Sequence, residues 1–270
     1  MKTIVIPTDF SESSFNAALY AANFTHRFHV STIMLYHSNT APSRATELSM
    51  LHEHTKDILE SFKQRILPHV HGRTQIDIRT DELPVSAAIE KITAQCRADL
   101  IVMGTTGKNN FEKTIEGSNT VRVAKECSAP LLLVPPKARF GEIKKLGFAT
   151  DLKDVYATTP VEAIRKFLAL FKAQLSILNV SASENPGDAA QQELSTLQLL
   201  FEKEQPEYHQ IKTKEVVGGL MKFAIENKIQ LLVFVTKKHG FLESLFHHSM
   251  TSDIAYHTYL PVLLLKQSNA

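Results

Sequence analysis

Two stretches of the chain open and close alike, and this internal repeat constrains the fold more than any other feature. Ile4-Val5-Ile6-Pro7-Thr8-Asp9 is echoed by Leu146-Gly147-Phe148-Ala149-Thr150-Asp151, each a short apolar run closing on Thr-Asp ahead of a helix-like stretch. At the other end, Pro130-Leu131-Leu132-Leu133-Val134 matches Pro261-Val262-Leu263-Leu264-Leu265. Agreement at both ends, in the same order, implies two copies of one domain, 1–138 and 143–270, the second shorter between its anchor points. They are joined near Pro135-Pro136-Lys137-Ala138-Arg139, where two prolines and flanking charges mark a linker.

Within the first copy, apolar runs rich in β-branched residues alternate with longer stretches of helical period, the pattern of βαβ units in a parallel sheet. Strands are expected near 2–6, 31–37, 74–80, 99–103 and 130–134. Helices are expected from Ser11, as N-cap, to Phe28; from Thr46 to Leu67; from Pro84, in the first turn, to Arg97; and from Ser118 to Cys127. The second copy repeats this with strands near 145–149, 175–180, 207–213, 229–235 and 261–265, and with a first helix that starts later, at Pro160. The fold class is α/β, two tandem doubly wound parallel-sheet domains. In such open sheets ligands sit beyond the carboxyl ends of the strands, where the strand order reverses, so the residues just after each strand matter most.

Composition removes other classes. With 43% hydrophobic and 21% charged residues, the chain is neither disordered nor collagen-like. No apolar run approaches the roughly 18 residues that span a bilayer, and the opening Lys2 to Pro7 is too short for a signal-peptide core, so a cytoplasmic location is expected. Lys+Arg 30 against Asp+Glu 28 leaves +2, which gives no argument for nucleic acid or a membrane as partner. Cys96 and Cys127 lack C-x-x-C spacing and are read as reduced, structural thiols.

After the fourth strand, Ala98-Asp99-Leu100-Ile101-Val102-Met103 runs into Gly104-Thr105-Thr106-Gly107, and Gly117-Ser118-Asn119 opens the following helix. Glycine allows close backbone approach and positive φ, and a helix N-terminus presents unpaired N–H groups with a partial positive charge. The chemistry expected of Gly104, Gly107, Gly117, Ser118 and Asn119 is a cradle of N–H groups around a phosphate chain, helped by the Ser118 hydroxyl. Asp9 ends the first strand at the same edge of the sheet. Its carboxylate can accept from an adenine amino group or a ribose hydroxyl, or help hold magnesium. The pattern is neither a Walker A loop nor a Rossmann fingerprint, so kinase, P-loop ATPase and dehydrogenase readings have no support.

G-x2-G-x9-G-S after a fourth strand, with a first strand ending Pro7-Thr8-Asp9-Phe10-Ser11, resembles the universal stress protein family, and Ala98 to Pro135 is similar to it almost residue by residue. The resemblance covers both halves, so the chain looks like a tandem member. It implies five-stranded parallel sheets in the order 3-2-1-4-5, of the adenine nucleotide alpha hydrolase-like kind, domains paired through their last strands, and ATP binding where the glycine motif is intact. Carried over position by position, it implies that Pro7, Thr8 and Asp9 line the adenosine end and that Ser38 edges the adenine. It likewise implies that Met103 and Gly104 lie near the ribose, with Gly107, Gly117, Ser118 and Asn119 around the phosphates. Ser38 and Asn119 stand where the family usually has small apolar residues.

The second copy departs further. Val235, Lys238 and His248 stand opposite Gly104, Gly107 and Gly117, with Ser249 opposite Ser118 and Asp151 and Val180 opposite Asp9 and Ser38. If the glycines serve positive φ, each substitution costs about 1 to 3 kcal/mol, against about 8 kcal/mol for micromolar binding. One ATP per chain, in the first copy and with or without Mg2+, is therefore expected. Twelve histidines invite a metal reading. His52 and His54 face different sides of their helix, as do His248 and His257. Only His239, His247 and His248, in one loop beside Asp151, have the spacing to converge; they are read as solvated or locally hydrogen-bonded, with no metal site.

The expected function is a cytoplasmic, adenine-nucleotide-binding stress or regulatory protein with slow or absent turnover. The alternative is a hydrolase or nucleotidyl-transfer enzyme using the same cleft, with Asp9 or the His239 to His248 loop supplying acid-base or metal chemistry. In the order 3-2-1-4-5 the last strands lie at sheet edges. Leu131 to Val134 and Val262 to Leu265 are expected to pair antiparallel within the chain, a pseudo-dimer of domains, with a homodimer of chains as a further assembly.

Overall fold

The computed structural model describes residues 1–39, 45–105, 119–181, 187–236 and 259–268, with the backbone alone for 45–52. The chain divides into two compact units, Met1–Phe140 and Gly141–Ala270. In the first, β1 (Thr3–Pro7), β2 (Thr32–Ser38), β3 (Gln75–Asp81), β4 (Leu100–Gly104) and β5 (Leu131–Val134) form a parallel sheet in the order β3-β2-β1-β4-β5. Its helices are α1 (Glu12–Phe24), α2 (Ala45–Ile66), α3 (Val85–Cys96) and α4 (Asn119–Glu126).

The strand sequences explain their places. Ile4 to Ile6, Leu100 to Val102 and Leu131 to Val134 are buried whichever face they point to, which requires helices on both sides of the sheet. Each such side chain contributes about 1.5 to 3 kcal/mol. In β3 the exposed Gln75 and Asp77 flank buried Ile76, the alternation of a strand at the sheet's margin. The strands begin and end slightly later than the apolar runs suggest. Ladder pairs such as Pro7 with Tyr36 and Gly104 with Val134 extend past the last apolar side chain.

Helix α1 starts where its capping residue dictates: Ser11 Oγ accepts from the Ser14 N–H at 3.2 Å, and Glu12 occupies the first turn. It ends at Phe24 and not at Phe28, because the Thr25 hydroxyl bonds back to Ala22 O at 2.6 Å and competes with the helical ladder. Pro84 caps α3 from outside (φ −52°, ψ 141°) and does not enter its first turn; Arg97, left-handed at φ 49°, stops it.

The segment after β5 is held down along α1. Buried Asn16 donates from Nδ2 to Pro135 O at 2.9 Å and Ala138 O at 3.2 Å, and its Oδ1 accepts from Arg139. Phe140 then packs edge-on against Tyr20 and Phe24, at 5.4 and 4.7 Å between ring centroids.

The second unit contains β6 (Lys145–Thr150), β7 (Gln174–Ser181), β8 (Glu207–Lys212), β9 (Leu231–Thr236) and β10 (Val262–Lys266), in the order β8-β7-β6-β9-β10. Register equates the copies: Ile4 pairs with Ile33 and Leu100, and Leu146 pairs with Leu175 and Leu231. The same register puts Val180 at the position of Ser38 and Val235 at that of Gly104. The helices are α5 (Val155–Thr158), α6 (Val161–Phe171), α7 (Asp188–Leu200) and α8 (Val216–Glu226). The single turn α5 precedes the helix expected from Pro160. Pro160 lacks the N–H that would continue the chain helically into α6 and stands at the N-cap of that helix.

Candidate functional site

An open cleft of about 670 Å3, counting the solvent space at its mouth, lies at the carboxyl ends of the strands of the first unit. Pro7, Thr8 and Asp9 enter it from β1, Ser38 from β2, Met103 and Gly104 from β4, and Asn119 from the start of α4. These seven expected residues therefore converge; Gly107, Gly117 and Ser118 lie outside the described residues, as does the His239 to His248 loop. The lining also includes Ser13, Ser14, Tyr36, Val85 and Thr120, which sequence reasoning missed. Two of these had a signal: Tyr36 is two residues before Ser38 and so shares its face of β2, and Thr120 follows Asn119 in the first turn of α4.

The β1 corner is a closed hydrogen-bond network. Ser14 Oγ donates to Ser11 O at 2.9 Å, so Thr8 Oγ1, 2.9 Å from Ser14 Oγ, gives its proton to that serine and accepts from the Phe10 N–H at 3.0 Å. Asp9 Oδ1 accepts from the Ser11 hydroxyl at 2.6 Å and the Ser11 N–H at 3.0 Å. Burial pushes the Asp9 carboxyl up, but the hydroxyl and N–H of Ser11, with Ser14 and its own N–H, outweigh this and hold it below the usual carboxylate range. Asp9 is thus an exposed, ionised acceptor. The turn strains Phe10, whose φ is 65°; its ring stacks on His37 at 4.4 Å, and His37 Nδ1 lies 2.8 Å from Thr8 O.

The β2 corner is tied with equal completeness. Ser38 Oγ donates to Leu83 O at 2.6 Å, the Tyr36 hydroxyl donates to Asp81 Oδ1 at 2.8 Å, and the Leu83 N–H donates to the same oxygen at 3.0 Å. Burial and the bond to Asp81 keep the Tyr36 hydroxyl protonated far above its ordinary range.

Gly104 corrects the expectation about φ. Among the described residues positive-φ glycine occurs only at Gly72. Gly104 is required because a Cβ there would lie 2.3 Å from Ser13 O, 2.5 Å from Ser13 C and 2.9 Å from Ser14 N. It lets the end of β4 touch the first turn of α1 and so fixes Ser13 and Ser14 in the cleft wall. The next residue, Thr105, is buried with its Oγ1 unpaired among the described residues, whereas its counterpart Thr236 donates to Leu265 O at 3.3 Å.

The second unit keeps the turn. Leu152 (φ 51°) donates its N–H to Thr150 Oγ1 at 3.1 Å, Lys153 N–H reaches Asp151 Oδ1 at 3.2 Å, and Asn179 Nδ2 bonds Thr150 O at 3.0 Å where His37 meets Thr8 O. Among the described residues no group of three or more His, Cys, Asp or Glu side chains is placed to hold a metal, and no helix is long and apolar enough to cross a membrane.

Comparison with known proteins agrees with this architecture. The model of the universal stress protein family matches residues 1–135. A universal stress protein of Methanocaldococcus jannaschii is 33% identical over 139 residues, covering 49% of this chain and 81% of that protein. The crystal structure of a universal stress protein from Archaeoglobus fulgidus superposes with a TM-score of 0.72 at 17% identity, covering 99% of this chain and 97% of its own. A functionally unknown protein from Pseudomonas aeruginosa gives 0.55 at 15% identity over 98% and 92%. At those identities the two structures speak to the fold alone, which they share across both units. On the family match to residues 1–135 and the identity to the Methanocaldococcus protein, the chain belongs to the universal stress protein family, with two units of one topology in tandem.

Proposed function

We propose that the first unit binds one adenine nucleotide, ATP, in the cleft between Asp9, Ser38 and Gly104, as a regulatory ligand with little or no turnover. The observation that carries this reading is the meeting of three strand ends and the start of α4 around one cleft, at the point of the sheet where strand order reverses. The chemistry of the lining suits such a ligand. Pro7, Val85 and Met103 offer apolar walls to a base and sugar. Asp9 accepts from ribose hydroxyls, and the N–H groups at the start of α4 favour phosphate. Gly107, Gly117 and Ser118 complete the phosphate wrap in this reading, and Asp9 is the carboxylate available to a magnesium ion carried by the nucleotide. A carboxylate held below its usual range is a poor general base, which supports binding over hydrolysis. Family membership supports a stress-response role, and a cytoplasmic location is part of the proposal.

Calorimetry with ATP and incubation with labelled ATP test this. One site per chain without multiple turnovers is expected. Turnover within minutes would favour the hydrolase or nucleotidyl-transfer alternative, and absence of binding would overturn the assignment of the cleft. Mass spectrometry of small molecules released from freshly purified protein reports the resident ligand directly. The sequence-based proposal of an intrachain pseudo-dimer and a homodimer is tested by cross-linking and sedimentation.

A further inference from the structure

Two connections at the amino end of the first sheet, across the unit from the cleft, carry four exposed histidines. His26 and His29 lie between α1 and β2, and His69 and His71 between α2 and β3. Two of them meet: the imidazoles of His26 and His71 stack at 4.1 Å between ring centroids, with 14° between their planes.

One hydroxyl sets them side by side. Buried Thr25, at the C-cap of α1, donates from Oγ1 to Ala22 O at 2.6 Å and accepts from the His71 N–H at 2.7 Å. The group that ends the helix before His26 therefore also seats the backbone of His71. Thr74 Oγ1 donates to Val30 O at 2.7 Å and lies 3.2 Å from His71 O, which ties the same two connections again just before β2 and β3 pair. The backbone holds the residues together, and the rings are left over: among the described residues neither makes a hydrogen bond or an ion pair.

A neutral imidazole offers one in-plane nitrogen lone pair. Metal–nitrogen bonds of about 2.0 to 2.1 Å let one ion bridge two nitrogens up to about 4 Å apart. Exposed rings can turn about their side-chain bonds to aim both lone pairs at it, which breaks no hydrogen bond. Among the described residues no third His, Cys, Asp or Glu joins them. Two protein ligands fall short of the closed set of a structural zinc site, so water fills the other positions and the ion exchanges. An all-nitrogen donor pair suits Zn2+, Cu2+ or Ni2+ and not Mg2+ or Ca2+, which take oxygen ligands.

We propose that His26 and His71 form an exchangeable site for a divalent transition-metal ion, which clasps the α1–β2 and α2–β3 connections of the first unit. It shares no residue with the cleft.

Ni2+ alone is the probe, in calorimetry on the full chain. His26→Ala and His71→Ala should each weaken its binding about 100-fold, because losing either ring turns a two-point attachment into a one-point one. His29→Ala and His69→Ala should leave it within about twofold. Ni2+ should also raise the urea midpoint of the unmodified protein, and of neither His26→Ala nor His71→Ala, whose metal-free midpoints should match that of the unmodified protein. Absence of Ni2+ binding, or binding and stabilisation that His26→Ala and His71→Ala leave unchanged, would overturn the proposal. An equal loss in His29→Ala or His69→Ala would do the same, as would displacement of Ni2+ by an excess of Mg2+.

Discussion

Replacing Gly104 by alanine adds one methyl group at the point where β4 meets α1. That methyl would stand 2.3 Å from Ser13 O, 2.5 Å from Ser13 C and 2.9 Å from Ser14 N. Carbon contacts in packed interiors settle near about 3.5 Å, so the strand end and the helix must part by about 1 Å. All three obstructing atoms are backbone, so no rotamer change can absorb the clash. Overpacking of this kind costs about 1 to 3 kcal/mol, and the backbone obstruction argues for the upper end. With a urea m-value of about 2 kcal/mol/M, a loss of about 3 kcal/mol lowers the midpoint by about 1.5 M. The assay is urea unfolding followed by far-UV circular dichroism. Gly218→Ala in α8 is the control, since its Cβ would meet the Glu215 carboxyl group at 3.1 Å, the far end of a flexible side chain that can turn away. There alanine gains about 1 kcal/mol of helix propensity, so the variant should be neutral or more stable. Similar midpoints for the two variants would refute the argument that backbone contact at Gly104, and not volume alone, makes glycine necessary.

Asn16→Ala removes one of two donors from Pro135 O, which keeps the Ala138 N–H, and from Ala138 O, which keeps Arg139 Nη1, and takes the Oδ1 acceptor from Arg139; this should cost about 1 kcal/mol and speed tryptic cleavage after Arg139. Asp9 contributes stability that is present above the unfolded-state pKa of about 3.9 and is lost as pH falls through its lower folded value. The stability difference between the unmodified protein and Asp9→Asn should therefore shrink below about pH 4 in urea titrations at a series of pH values. Calorimetry should count one ATP per chain, with binding abolished by Gly117→His, the residue at that place in the second copy, and unaltered by Asp151→Ala. Two sites, or unchanged binding by Gly117→His, would show that the copies were wrongly equated.

Much of this architecture is legible in the sequence because it rests on short-range patterns. Apolar runs that end on Thr-Asp mark β1 and β6, and the Thr-Asp turn keeps its hydrogen bonds in both units, down to a left-handed third residue at Phe10 and Leu152. Ser11 shows the start of α1 for the same local reason. What escaped depends on contacts between residues far apart in the chain. The tie of Asn16 to Pro135 and Ala138 cannot be inferred from a pair of prolines, and the seat of Ser38 on Leu83 joins neighbouring crossovers. Gly104 shows the difference most clearly: the motif marks the residue, but the close approach it serves is to the backbone of Ser13 and Ser14, which no local pattern reveals.

That reason also explains how the copies diverged. In the first unit α1 begins directly after the Thr-Asp turn, and it packs along β4 closely enough that the strand end must be glycine. In the second unit Asp154 is left-handed (φ 48°), the single turn α5 follows, its Val155 N–H held by Glu193 of α7 at 2.8 Å, and Pro160 sets the start of α6. Helix α6 makes at most marginal contact with β9, so Val235 is accommodated, buried, at the position of Gly104. The loss of glycine and the rerouted first crossover are therefore one change. A side chain at 235 needs the helix to stand off, and a helix that stands off no longer brings its first turn to the strand ends, where Ser13 and Ser14 complete the wall of the first cleft. A shared sheet register thus does not make a shared site: the two units differ first in the backbone that follows their first strands.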